Sequence, residues 1–278
     1  MPTYAKLSYF TDPQDGSKPW RYANAMNVPD GARISNHEHQ QRSVDIENVR
    51  GNQSRYTLDG CGFEFVMDAP TRLKNFGDDT GIKEVYYPES AQLIKDITGA
   101  SKVLIFDHTL RRRRIPGETV ANPDVRPTAG RVHVDQTPSA SIARVHRHIA
   151  SPEEAEDLLT RRFQILNLWR PINHPAFDSP LALCDFRSVD VERDLVAVEL
   201  VYPLSSGETY EVRWSPKHEW KFLRGMRLDE AVLFKCYDSV QDGSVATLTP
   251  HTAFDDPEAP KEGPPRESIE LRVLAFYD

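Results

Sequence analysis

The sequence is short of cysteine, of long apolar runs and of positive charge, and each shortage removes a class of protein. Its three cysteines, Cys61, Cys184 and Cys236, stand far apart with no CxxC pair. An odd, scattered set fits neither a disulfide framework nor a thiolate zinc site, and points to a reducing compartment. No stretch approaches the roughly 18 apolar residues that span a membrane. The segment Met1 to Asp30 has no basic region followed by an apolar one, so no leader is read there. A cytoplasmic protein with no membrane partner is expected. Lys and Arg number 34 against 42 Asp and Glu, a formal net charge of -8. Binding nucleic acid calls for a basic face, so nucleic acid is not expected as a partner. Gly-rich phosphate loops, a GxSxG elbow and HExxH are all missing, which removes the enzyme classes built on them.

What is present belongs to an ordinary globular chain. Hydrophobic residues make up 39% and charged ones 27% of 278 residues, enough to bury a sizeable core and too apolar for disorder. A single domain over 1–278 is expected. Residues 1–80 are rich in Pro, Gly, Asp and Asn and read as an irregular, partly stranded arm wrapping the core. This arm could complete a pocket or the interface of a homodimer.

From about residue 88 the punctuation is clearer. Pro88 to Thr98 has proline at its start, apolar Ala91, Leu93, Ile94 and Ile97, and Gly99 at its end, which predicts a helix. Val103 to Phe106 suits a buried strand, and the arginine run Arg111 to Arg114 follows as a solvated patch or a carboxylate clamp. Ser151-Pro-Glu-Glu154 is a capping box with proline at the first helical position, predicting a helix over about 152–162. Strands are predicted at Phe163–Trp169, Leu195–Val201, Thr209–Trp214, Ala231–Tyr237 and Ser268–Tyr277, the middle three as a meander. Asp255 to Pro265 is an acidic, proline-rich loop. Strands dominate without βαβ alternation, so the fold class is mainly β with flanking helices, an antiparallel barrel or jelly roll.

The segment Arg131-Val-His-Val-Asp-Gln-Thr137 sets His133 and Asp135 two apart in a strand-like alternation, so both point to one face. Joined by a distant imidazole, for which His251 is the candidate, they form a facial triad of two histidines and one carboxylate. That set suits iron(II) and leaves positions open. Arg266 then opens the last strand in Arg266-Glu-Ser268. Its planar guanidinium can pair two ways with a carboxylate, and the Ser268 hydroxyl, two residues on, shares its face. Arg272 also shares that face and is a rival for the same role.

The ordered set HxD, distal His and RxS resembles the iron(II)/2-oxoglutarate-dependent dioxygenases, whose core is a double-stranded β-helix of the jelly-roll, cupin-like type. Val132-His-Val-Asp-Gln-Thr137, Asn167-Leu-Trp-Arg-Pro171, Phe234-Lys-Cys-Tyr-Asp-Ser239, Pro250-His-Thr-Ala-Phe254 and Arg266-Glu-Ser-Ile-Glu270 resemble, more narrowly, the fungal hydroxylase/desaturase family that includes a gibberellin desaturase-type group. The likeness covers about residues 100–278. It implies that His133, Asp135 and His251 ligate Fe(II), and that Arg266 and Ser268 seat the distal carboxylate of 2-oxoglutarate. Dioxygen is then the second co-substrate, and hydroxylation or desaturation of a small organic metabolite releases succinate and CO2. The wide interval between His133 and His251 implies an insertion, at about 145–190, that builds a substrate pocket or lid.

Further residues could contact substrate or co-substrate: Asn167, Trp169 and Arg170 on one predicted strand, Lys235 and Tyr237 on another. Against each stands a packing role, since half the residues of a barrel strand face away from the cavity. His37-Glu-His39 and His146-Arg-His148 repeat the two-apart spacing, but the sequence shows no partner for either. Two other functions stay open at this point. One is a cupin-type metal dioxygenase that does not use 2-oxoglutarate; the other is a non-catalytic jelly-roll binding protein.

Overall fold

The computed structural model describes residues 3–24, 28–113, 125–203 and 205–278. Arg114, the last of the arginine run, lies outside them. In chain order the strands are β1 (Thr3–Thr11), β2 (Trp20–Tyr22), β3 (Glu38–Asn48), β4 (Phe63–Val66), β5 (Lys102–Arg112), β6 (His133–Val134) and β7 (Phe163–Pro171). They continue with β8 (Leu181–Cys184), β9 (Leu195–Val201), β10 (Ser206–Val212), β11 (Trp220–Phe222), β12 (Ala231–Asp238), β13 (His251–Ala253) and β14 (Glu267–Phe276). The longer helices are α1 (Tyr87–Thr98), α2 (Pro138–His148) and α3 (Pro152–Leu159).

Two sheets form the sandwich of a jelly roll. A large curled sheet runs β1-β3-β11-β8-β13-β6-β10-β9-β2, and a smaller one runs β4-β12-β7-β14-β5. All of β7 and β12 is buried, as expected of central strands covered on both faces. One face of the smaller sheet, with Leu168, Leu233, Leu271 and Val273, packs under Ile94 of α1. Its other face, with Ile165, Trp169, Phe234 and Leu274, packs towards Leu181 and Leu183 of the large sheet. A third cluster, with Leu7, Tyr9, Val132, Val134 and Trp220, fills the curl of the large sheet. Isolated bridges from Ser8 to Arg131 and from Phe10 to Arg213 bring β1 back against the far part of that sheet.

Several predicted elements extend further than their strongest signals. β5 runs from Lys102 to Arg112 because a bulge opposite Arg272 and Val273 lets it keep pairing with β14. The capping box holds: Ser151 accepts from the Glu154 amide. A second cap of the same kind, Thr137 on the Ala140 amide with Pro138 inside, starts α2. His146 and His148 therefore end a helix. Of the three strands predicted as a meander, β9 and β10 form a hairpin, but β12 belongs to the other sheet, between β4 and β7. Its continuous burial demands that central place. Within residues 1–80, β1 pairs along its whole length with residues Glu38 to Ile46 of β3. Thr3, Ala5, Leu7 and Tyr9 point inward and Tyr4 and Lys6 outward. Residues 145–190 contribute the last turn of α2, all of α3, β7 in the middle of the smaller sheet, and β8 of the larger.

Candidate metal centre

Strand pairing brings the predicted triad together. His251 of β13 is the direct antiparallel partner of His133 on β6, which sets their side chains on one face in adjacent strands. Their ring centroids are 4.4 Å apart. Val132 and Val134 point the other way into the curl, so the alternation along β6 fixes His133 and Asp135 towards the smaller sheet. The three potential ligand atoms lie within 4.8 Å of one another. His133 Nδ1 is 2.9 Å from the Arg131 carbonyl and His251 Nδ1 is 3.0 Å from the Thr249 carbonyl. Each carbonyl accepts a proton held on Nδ1 and leaves Nε2 free for a metal. Burial, and secondarily the neighbouring His133, push His251 down to about 4, so its imidazole is neutral at pH 7.

Burial alone would raise the Asp135 carboxyl, yet the Arg272 guanidinium and the histidines hold it well below the usual range. Oδ1 is 3.5 Å from His133 Nε2. Oδ2 accepts from Asn167 Nδ2 at 2.8 Å and lies 3.5 Å from Arg272 Nε. Arg272 in turn donates to Asp107, Thr109 and Glu270. Its donors are thus taken up by Asp135 and these three neighbours.

Arg266 differs. Its side chain is buried, it donates through Nη1 to the Ser179 carbonyl at 2.6 Å, and it lies over the Trp169 ring at 5.6 Å. Among the described residues, Arg266 Nε, Ser268 Oγ and Trp169 Nε1 have no hydrogen-bond partner. Burial lowers the guanidinium to about 9, so it is a charged donor at pH 7 with an unfilled valence. Arg266, Trp169, His133 and His251 line one pocket with Arg111, Leu181, Thr252 and Glu270. An unsatisfied buried donor costs about 1–3 kcal/mol, and two of the three, on Arg266 and Trp169, belong to residues lining this pocket, where an oxygen acceptor would satisfy them. The donor set therefore fits a divalent iron next to a dicarboxylate, and of Arg266 and Arg272 it is Arg266 that retains an unpartnered side-chain donor among the described residues.

Three of the further residues are not brought to the metal. Arg170 points to the other face of β7, donating to the Ala69 carbonyl and lying over Tyr86. Lys235 likewise faces away, donating to Asp59 at 2.6 Å, Asp238 at 2.7 Å and the Ala246 carbonyl at 2.8 Å. Tyr237, beyond a bulge in β12, packs on Phe163. The residue of β12 that reaches the centre is Phe234, 4.7 Å from the His251 ring. Glu270, missed from the sequence, was accessible to the same reasoning, since it continues the two-residue step from Arg266 and Ser268 to Arg272.

With this geometry in place, likeness to known proteins can be read. A family described as "YDMC: Oxidoreductase/YMDC permease-like domain" matches residues 7–276. No helix among the described residues is long and apolar enough to cross a membrane. The hydroxylase/desaturase efuI of Hormonema carpetanum is 36% identical, covering 87% of this chain and 85% of its own. The Fe(II)/2-oxoglutarate-dependent dioxygenase nvfI of Aspergillus novofumigatus is 33% identical, covering 96% and 94%. The solved structure of the iron and α-ketoglutarate-dependent endoperoxidase NvfI superposes with a TM-score of 0.85 at 29% identity, over 99% of this chain and 98% of that one. The fold and centre are those of a jelly-roll, non-haem iron oxygenase. The chain belongs to the hydroxylase/desaturase family of Fe(II)/2-oxoglutarate-dependent dioxygenases.

Proposed function

We propose that this protein is an Fe(II)/2-oxoglutarate-dependent oxygenase that hydroxylates or desaturates a small organic metabolite, with release of succinate and CO2. The observation carrying this reading is the unpartnered buried donor Arg266 Nε in the pocket that also contains His133 and His251, with Ser268 Oγ, two residues along the same strand, likewise unpartnered. His133, Asp135 and His251 hold the iron, which when bound supplies dioxygen activation coupled to oxidation of 2-oxoglutarate. Arg266 and Ser268 seat the distal carboxylate of 2-oxoglutarate, and Trp169 stacks under the guanidinium and keeps water from it. Asn167 orients the carboxylate of Asp135. An open groove of about 700 Å³ shares Ala253 with the metal pocket and offers room for a metabolite. Three buried free thiols support a reducing, cytoplasmic setting.

A cupin-type dioxygenase without 2-oxoglutarate has no use for a buried cation with an open donor facing its metal. The deciding experiment is succinate formation from 2-oxoglutarate with Fe(II), with and without a panel of small metabolites. Turnover in the wild type that falls at least about 100-fold in Arg266→Ala, with iron still bound, is the expected result. Turnover untouched by that substitution, or oxygen consumed without succinate, sinks the co-substrate assignment.

A further inference from the structure

The sequence pair His37 and His39, which lacked a partner in the chain order, acquires one in the fold. β10 pairs with β6 so that Glu211 lies opposite His133, one strand further out along the row that holds the iron triad and on the same face. His39 Nε2 makes a short contact with Glu211 Oε2, and His37 Nε2 is 3.5 Å from Glu211 Oε1. One potential ligand atom from each of the three residues lies within 4.8 Å of the others. From this geometry we propose a second divalent transition-metal site, formed by His37, His39 and Glu211, for a borderline ion such as zinc.

Two independent observations support it. The His37 side chain is fully buried, and neither of its ring nitrogens makes a directed hydrogen bond among the described residues. A buried imidazole whose nitrogens make no directed hydrogen bond is costly, and an ion on Nε2 removes part of that cost. Secondly, the carboxylate is held as in the iron triad. Asp135 offers one oxygen to His133 and the other to Arg272. Glu211 offers one oxygen to His39 and the other to Arg131, at 3.1 Å. In both clusters an arginine steadies one oxygen while the other faces an imidazole, as outer partners of metal carboxylates commonly do; at Glu211 the arginine-held Oε1 also faces His37. Arg21, 3.9 Å from Oε1, approaches from the arginine side also. Two guanidiniums so close oppose a further cation, so this site fills after the iron triad and binds more weakly.

The consequence is mechanical. His37 immediately precedes β3, His39 is near its start, and Glu211 belongs to β10. The ion would bridge the seam where the large sheet curls back on itself, clamping the paired strands β1 and β3 beside the metal pocket. Two imidazoles and one carboxylate are a common donor set for zinc or cobalt.

The test uses the intact chain, loaded anaerobically with Co(II) after removal of adventitious metal, with stoichiometry read by elemental analysis and visible absorption. Two equivalents are expected in the wild type, one in His39→Ala, one in His133→Ala and none in the double variant. His39 is partly exposed, so its substitution leaves the fold intact, as circular dichroism checks. A wild type that binds one equivalent, or a second equivalent indifferent to His39→Ala, overturns the proposal and leaves Glu211 an ion-pair hub. Loss of an equivalent on His39→Ala but not on His133→Ala sustains this site while removing the iron assignment.

Discussion

Around the candidate iron, three neighbouring polar side chains have separable duties. Arg272 and Asn167 both touch Asp135 Oδ2, whereas Arg266 touches no residue of the triad. Substitutions should therefore split iron affinity from 2-oxoglutarate affinity. Asn167→Ala is expected to weaken iron binding about 10- to 100-fold, the usual effect of removing an outer partner, with KM for 2-oxoglutarate unchanged at saturating iron. Arg266→Lys should show the reverse: intact iron stoichiometry and a KM for 2-oxoglutarate raised at least about tenfold, because an ammonium cannot pair through two parallel donors. Anaerobic iron titration and steady-state kinetics on both variants check the split. If both substitutions moved the same constant, the division of labour between Asp135's partners and the carboxylate cradle would be mistaken.

Elements carry these residues to the metal, and they explain what the sequence made legible. β6 alternates Val132, His133, Val134 and Asp135, so its inner face could be read without coordinates; so could that of Arg266 and Ser268, whose types state their chemistry. β7 and β12 defeat the same reasoning. Both are buried on both faces, so no contrast of polar and apolar residues marks the cavity side. Lys235 and Arg170 look cavity-facing only because they are polar. The pairing of His251 with His133 is a long-range register that no local pattern contains. Lys235 instead locks β12 onto the loop at Asp59 and onto Asp238. Lys235→Met should leave iron stoichiometry at the wild-type value yet destabilise by about 3–5 kcal/mol, the cost of stranding a buried charge. Gly62 is a second such joint. At φ +95 it lies in the left-handed region, and an added Cβ would meet the Leu248 carbonyl oxygen at 2.7 Å and Thr249 Oγ1 at 2.5 Å. Because Thr249 precedes His251 by two residues and donates to the Gly62 carbonyl, Gly62→Ala should lower both the denaturation midpoint and iron affinity. Full iron affinity in a folded Gly62→Ala protein would show that this joint does not position the histidine.

Across the whole molecule, buried carboxylates join elements that the hydrophobic clusters do not. Asp238 ties the end of β12 to Arg162 and Gln164 at the start of β7. Glu230 ties the start of β12 to Arg50 after β3, and Asp194 ties the start of β9 to His218 before β11. Burial raises all three carboxyls, but their ion pairs and hydrogen bonds hold them below the ordinary range. A carboxyl whose folded value lies below its unfolded one, about 4, contributes stability that is present above pH 4. That stability is lost as pH falls through the folded value. His218 acts earlier: burial lowers it below its ordinary value, so the unfolded chain takes up a proton near pH 6.5 that the folded chain does not. The protein should therefore begin to lose stability as pH falls below about 6.5, where His251, buried neutral as well, adds to His218, and lose more below about pH 4. Urea midpoints measured from pH 8 to 3 test this, and Asp238→Asn isolates one seam. That variant should be less stable than the wild type at pH 7, by about 3 kcal/mol for a broken buried ion network. The gap should narrow as pH falls below about 4, where the unfolded chain binds a proton that the folded carboxyl resists. A gap that stays constant with pH would mean that Asp238 contributes by shape and hydrogen bonding, and that its charge does not hold the two central strands together.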